Sequence, residues 1–65
     1  MIYVNGSKVG NADNLSLADY LVREGYKIPL VAVECNGAII PKAQYVEKIL
    51  TDGDVIEVVS FVGGG

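Results

Sequence analysis

The spacing of apolar residues along the chain follows two different periods. The first, which is typical of strands, appears in the opening residues MIYV, and Asn5-Gly6 follows them directly. β-branched and aromatic residues are typical of strands, and Asn-Gly favours a type I′ hairpin turn because both of its central positions need a positive φ. The pattern predicts a β-hairpin with strands at residues 1–4 and Ser7–Val9. Residues 10–14 are rich in turn-forming residues and predict a loop.

The period then changes to that of an amphipathic helix, with Leu17 and Leu21 on one apolar stripe. Ser16 stands three residues before Asp19, which resembles an N-terminal capping box. Gly25 occupies the position where helices commonly end on a left-handed residue. These signals place one helix at residues 17–24.

Strand signals return after Pro29, which cannot donate to a β-ladder. They predict a strand at residues 30–35 and, through a second Asn-Gly pair, a short returning strand at Ala38–Ile40. Residues 42–50 are ambiguous and are compatible with a short helical turn. A solvated turn at residues 51–54 then leads into a last strand at residues 55–62.

This order of elements predicts an α+β fold, with a mixed sheet of four to five strands and one main helix packed on one face. The first and last strands are expected to be parallel neighbours in the centre of the sheet. The predicted core consists of Ile2, Val4, Leu17, Leu21, Val31, Val33, Ile56 and Val58.

Size and charge limit the possible functions. A chain of 65 residues predicts a single domain, and a net charge of −3 does not provide the basic surface that nucleic-acid binding needs. No apolar run approaches the ~20 residues of a membrane span, and the first residues do not resemble a signal peptide. We therefore expect a cytoplasmic protein that binds neither nucleic acid nor membrane.

Side-chain catalysis has few candidates in this composition. The chain has one cysteine and no histidine, so a Cys-His or Ser-His nucleophile is excluded. Cys35 shares its strand parity with Val31 and Val33, which predicts a place in the core. Asp52 and Asp54 lack the ligand number of a calcium loop, and no metal site is predicted.

The last strand indicates a docking surface. Glu57 is expected to face solvent, because charged residues are rarely buried unpaired. Val59 and Phe61 share its parity, so they should be exposed as well. Exposed apolar residues near the end of the chain favour contact with a partner protein, although a covering loop is the alternative.

The sequence ends in FVGGG, and its elements together resemble a known family. The helix segment SLADYLV, the segment VECNGAIIPKAQY, the strand entry DGDVIEVV and the glycine end resemble the sulfur carrier proteins of thiamine biosynthesis. That family has the ubiquitin-like β-grasp fold. The resemblance implies a β-grasp domain at residues 1–62 and a flexible C-terminal glycine tail at residues 63–65.

The resemblance also implies a mechanism in which the protein is a co-substrate and not an enzyme. An adenylating enzyme similar to ubiquitin-activating enzyme would use ATP to activate the carboxylate of Gly65. A cysteine desulfurase, or another persulfide donor, would supply the sulfur of a thiocarboxylate, and thiazole synthase would receive it. Gly63 and Gly64 would let the tail pass through a narrow channel of each partner. Val59, Phe61 and Val62 would dock the carrier on the partner's surface. No cofactor would be bound to the carrier itself.

Three alternatives remain open on the sequence alone. The sulfur-carrying small subunit of molybdopterin synthase shares the fold and the Gly-Gly end. A ubiquitin-like modifier would be joined to lysines through Gly65. A small interaction domain would end in glycines that have no role, because chain termini commonly fray.

Overall fold

The computed structural model describes residues 1–61, which form a five-stranded mixed sheet with one α-helix. The strands are β1 (Ile2–Val4), β2 (Ser7–Val9), β3 (Val31–Cys35), β4 (Ala38–Ile40) and β5 (Val55–Ser60). Their order across the sheet is β2-β1-β5-β3-β4, with β5 parallel to β1 and antiparallel to β3. This arrangement confirms the predicted α+β fold and the central pairing of the first and last strands.

The helix α1 spans Leu17–Arg23 and has the predicted signals at both ends. The Oγ of Ser16 accepts a hydrogen bond of 3.0 Å from the backbone N–H of Asp19. Gly25 has a φ of +84°, and the N–H of Tyr26 reaches back to the carbonyl of Leu21 at 2.9 Å, as in a Schellman motif. The helix ends one residue earlier than predicted because Glu24 is already its C-cap.

Three predicted strands differ from the observed ones at an end. Strand β1 begins at Ile2 and not at residue 1. Residues Ile28–Leu30 form a 3₁₀ turn with Pro29 in its first positions, so β3 begins at Val31 and not at residue 30. Strand β5 ends at Ser60, before the predicted limit at residue 62. The ambiguous segment contains a short helical turn, a 3₁₀ turn at Lys42–Gln44.

The segment that follows this turn closes the core over the start of α1. The N–H groups of Leu17 and Ala18 donate to the carbonyls of Lys48 and Tyr45, at 2.7 and 2.9 Å. Those N–H groups lie at the helix start, where no intrahelical partner exists. All eight predicted core residues are buried, Cys35 is buried as its parity predicts, and the structure adds Ala12, Ala18, Tyr20, Tyr45 and Leu50.

Both Asn-Gly turns are fastened to the central strand. Asn5 and Asn36 have φ values of +51° and +53°, as type I′ turns require. The side chain of Asn5 donates to the carbonyl of Val58 at 3.2 Å and accepts from its N–H at 2.8 Å. The carbonyl oxygen of the Asn36 side chain accepts from the N–H of Val55 at 2.9 Å. Strand β5 is thus held by two turn asparagines as well as by two strands.

Candidate functional site

Alternate side chains of β5 point to opposite faces of the sheet, as predicted. Ile56 and Val58 are buried, whereas Glu57 is exposed. Val59 is 56% exposed and Phe61 is 57% exposed, so no loop of the described residues covers them. These two apolar side chains are therefore available to a partner, although their docking role stays a prediction.

Neighbouring strands extend this exposed surface. Ala32 of β3 lies opposite Val59, and Ile39 of β4, which lies opposite Glu34, is 75% exposed. Together they line a shallow hollow on the sheet. We call this surface the open sheet face and define it by the lining residues Ala32, Val33, Glu34, Ile39, Glu57 and Val59.

The chain leaves the sheet from an anchored position. The backbone N–H of Phe61 donates to the carbonyl of Leu30 at 2.7 Å, which extends the pairing of β3 with β5 beyond Ser60. Gly65 follows Phe61 by four residues in the sequence, and a fully extended chain of that length spans at most about 14 Å. Val62, Gly63, Gly64 and Gly65 lie outside the described residues, so the roles predicted for them stay predictions.

The turn before β5 contains a buried carboxylate that sequence reasoning placed in solvent. Asp54 is only 6% exposed, and its oxygens accept hydrogen bonds from the Asn36 amide at 3.0 Å and the Thr51 N–H at 2.9 Å. The ammonium of Lys48 lies 3.5 Å away. The prediction of a solvated turn was therefore wrong for Asp54. Its hydrogen bonds join the turn before β5 to the side chain of Asn36.

The environment of Asp54 shifts its acidity. Burial by itself raises the pKa of this carboxyl, but the hydrogen bonds from Thr51 and Asn36 and the charge of Lys48 outweigh it. The pKa of Asp54 is therefore held below its ordinary value, and the group stays ionised inside the fold.

Cys35 takes the structural role that its strand parity predicts. The side chain is 5% exposed and belongs to the core cluster. Burial raises the pKa of its thiol, and the negative charge of Asp54 adds to this, while Lys48 offsets part of it. A buried thiol with a raised pKa is a poor nucleophile. Within residues 1–61, no group of three or more metal-ligating side chains could hold a metal ion.

No helix among residues 1–61 has both the length and the apolar character needed to cross a membrane.

Comparison with known proteins agrees with this architecture. The model of the ThiS family matches residues 2–65. The sulfur carrier protein ThiS of Bacillus subtilis is 42% identical over 66 residues, which cover all of both chains. A crystal structure of a thiamine biosynthesis protein (ThiS) from Geobacter metallireducens superimposes with a TM-score of 0.76 at 30% identity, covering 98% of this chain and 97% of that one.

A longer relative contains a similar region as only one part. A thiazole synthase of Paramagnetospirillum magneticum is 34% identical over 64 residues, which are 98% of this chain but 20% of that enzyme. The family model, the full-length carrier relative and the shared fold agree with one another. The chain therefore belongs to the ThiS family of sulfur carrier proteins of thiamine biosynthesis.

Proposed function

We propose that the chain carries sulfur as a thiocarboxylate on Gly65 and delivers it for formation of the thiamine thiazole ring. The observation that supports this most is the exposure of Val59, in β5, and of Phe61, just after it, because both stand shortly before the glycines in the sequence. Membership of the ThiS family favours this over a molybdopterin synthase subunit, a protein modifier or an inert terminus.

The chemistry explains why a terminal carboxylate needs a partner. A carboxylate is a poor electrophile, so its oxygen first attacks the α-phosphate of ATP and pyrophosphate leaves. The terminal sulfur of a cysteine persulfide then attacks the acyl carbon, and AMP leaves. A thiol cleaves the remaining S–S bond and releases the thiocarboxylate. This exchange needs reduced thiols, which places it in the cytoplasm.

The partners follow from these steps. An adenylating enzyme binds the ATP, a cysteine desulfurase or another persulfide donor supplies the sulfur, and thiazole synthase receives it. The glycines at positions 63 and 64 have no Cβ, so they can pass through a narrow channel. Val59, Phe61 and Val62 dock the carrier so that Gly65 reaches the reacting atoms.

Intact mass spectrometry tests the proposal directly. After incubation with the adenylating enzyme, ATP and a persulfide donor, we expect the protein to gain the mass difference between one sulfur and one oxygen atom. Cys35→Ala should gain the same increment, because Cys35 is buried and has no role in the transfer. If the wild type gained sulfur but Cys35→Ala did not, the result would show that the thiol of Cys35, and not Gly65, carries the sulfur.

Phe61→Ser tests docking by the end of β5. Binding to the adenylating enzyme should weaken about tenfold or more, since aromatic side chains often dominate interfaces. Stability should change by no more than about 0.5 kcal/mol, because the ring is largely exposed. Val22→Ser is the matched control, since Val22 is 66% exposed on α1. Titration calorimetry measures both variants, and an equal loss for both would contradict a specific docking role.

A further inference from the structure

The open sheet face contains a shallow hollow between β3, β4 and β5. Its volume is about 80 Å³, several times the roughly 10–15 Å³ that a single water molecule requires. The hollow therefore has room for the end of a single side chain. Its walls combine the apolar side chains of Ala32, Ile39 and Val59 with two carboxylates, Glu34 and Glu57.

The two glutamates face each other directly. Glu34 of β3 and Glu57 of β5 are partners in the antiparallel register, a position that brings Cβ atoms to about 4.5–5.5 Å. Like charges placed in this way repel and destabilise a sheet. Within residues 1–61, neither glutamate takes part in an ion pair, while Lys48 pairs with Asp54 and Arg23 with Glu24.

Two like charges that lie directly opposite each other break a general rule for stable sheets, and no contact among residues 1–61 compensates for their repulsion. Such violations are expected at functional sites, where a partner supplies the missing interaction. The apolar walls need an aliphatic or planar group, and the two carboxylates need a cation. An arginine side chain meets both needs, because its guanidinium offers five donors in a plane and its stem is apolar.

We propose that the open sheet face docks thiazole synthase, and that an arginine of that enzyme enters the hollow between Glu34 and Glu57. The choice of enzyme rests on the proposed function and on the relative in which one chain combines a similar domain with a thiazole synthase. Arginine fits better than lysine because its planar guanidinium offers five donors in a fixed arrangement, whereas the lysine ammonium is a compact, strongly hydrated charge. The contact also neutralises the repulsion that the free carrier retains.

A first consequence concerns the carrier alone. The double variant Glu34→Gln/Glu57→Gln keeps the side-chain shapes and removes the repulsion, so its thermal unfolding midpoint should be higher than that of the wild type. The double variant Glu24→Gln/Glu47→Gln removes the same number of charges from exposed positions elsewhere. It should not gain stability in the same way, because Glu24 loses its pairing with Arg23.

Titration calorimetry of the unmodified carrier with purified thiazole synthase tests docking without any sulfur chemistry. We expect Glu34→Gln/Glu57→Gln to raise the Kd at least about tenfold, as for charges that are desolvated against a partner. Glu24→Gln/Glu47→Gln should change the Kd less than about twofold. Added salt should weaken wild-type binding more than binding of the Glu34→Gln/Glu57→Gln variant.

Two outcomes would overturn the inference. The first is an unchanged Kd of Glu34→Gln/Glu57→Gln for thiazole synthase, whether or not binding to the adenylating enzyme weakens. The second is an equal loss in both double variants, which indicates general charge attraction. Thiocarboxylate formation by each variant at saturating concentration is measured separately by intact mass, so docking can fail while the proposed function stands.

Discussion

A carrier extended by one alanine after Gly65 is expected to fold like the wild type and to lose ATP–pyrophosphate exchange with the adenylating enzyme. One added residue moves the carboxylate by up to about 3.3–3.6 Å along the chain. Reacting atoms must approach to about 3–3.5 Å, so this displacement is as large as the whole approach distance. We expect the exchange rate to fall at least about 100-fold, because misplacement by even 1 Å can cost that much.

Gly64→Val should have the same result for a different reason. The terminal carboxylate keeps its place in the sequence, but a β-branched side chain obstructs a channel that fits glycine. Folding should be unaffected in both variants, because the core residues and the pairing of β5 lie within residues 1–61, before both changes. Circular dichroism and the unfolding midpoint provide the control. Full thiocarboxylate formation by the alanine-extended protein, without trimming, would show that Gly65 is not the working residue.

Asp54→Ala is expected to cause the largest loss of stability among the single changes considered. It leaves the Asn36 amide, the Thr51 N–H and the Lys48 ammonium without their acceptor. A hydrogen bond to a charged group contributes about 1.5–3 kcal/mol, and the carboxylate of Asp54 is buried. A domain of this size has only roughly 3–5 kcal/mol in total. Urea unfolding at pH 7 should therefore show a markedly lower midpoint for Asp54→Ala.

The effect should depend on pH in a defined direction. The pKa of Asp54 is lower in the folded protein than in the unfolded chain, so its ionised form stabilises the fold above the unfolded pKa. That stabilisation is lost as the pH falls through the folded pKa. The difference in stability between wild type and Asp54→Ala should narrow in the same range. Asp52→Ala is the control, since Asp52 is 75% exposed and, among residues 1–61, forms an ion pair with the N-terminal ammonium alone. A difference that stays constant on acidification would contradict the role of the ionised carboxylate.

Regular elements could be predicted because local signals fix them. Asn5-Gly6, Ser16 and Gly25 mark a hairpin turn and the two ends of the helix, and the structure confirms each. The side chains of β5 that face solvent could be predicted from the charge of Glu57. Once Glu57 is placed on the exposed face, strand alternation assigns every other residue of β5 to one face or the other. These features depend only on neighbouring residues.

The residues missed by sequence reasoning depend on contacts between distant segments. Tyr45 and Leu50 lie in a stretch without a clear period, and they are buried because their backbone meets the start of α1 and the loop before it. Asp54 resembles any acidic turn residue until Asn36, 18 positions earlier, is brought beside it. The Glu34–Glu57 pair likewise appears only when the register of β3 with β5 is known. The predicted tail lies outside the described residues, so only experiment tests it.

The central place of β5 has a consequence for how the domain assembles. Strands β1 and β2 form one hairpin and β3 and β4 another, and in the sheet of residues 1–61 β5 lies between the two and joins them. On the ribosome these hairpins emerge before β5, and an isolated hairpin is marginally stable at best. Cooperative folding must therefore wait for the strand that carries Val59. Incompletely synthesised or partly unfolded chains then lack the surface we propose for docking, so the partners would engage only carriers whose folding is complete.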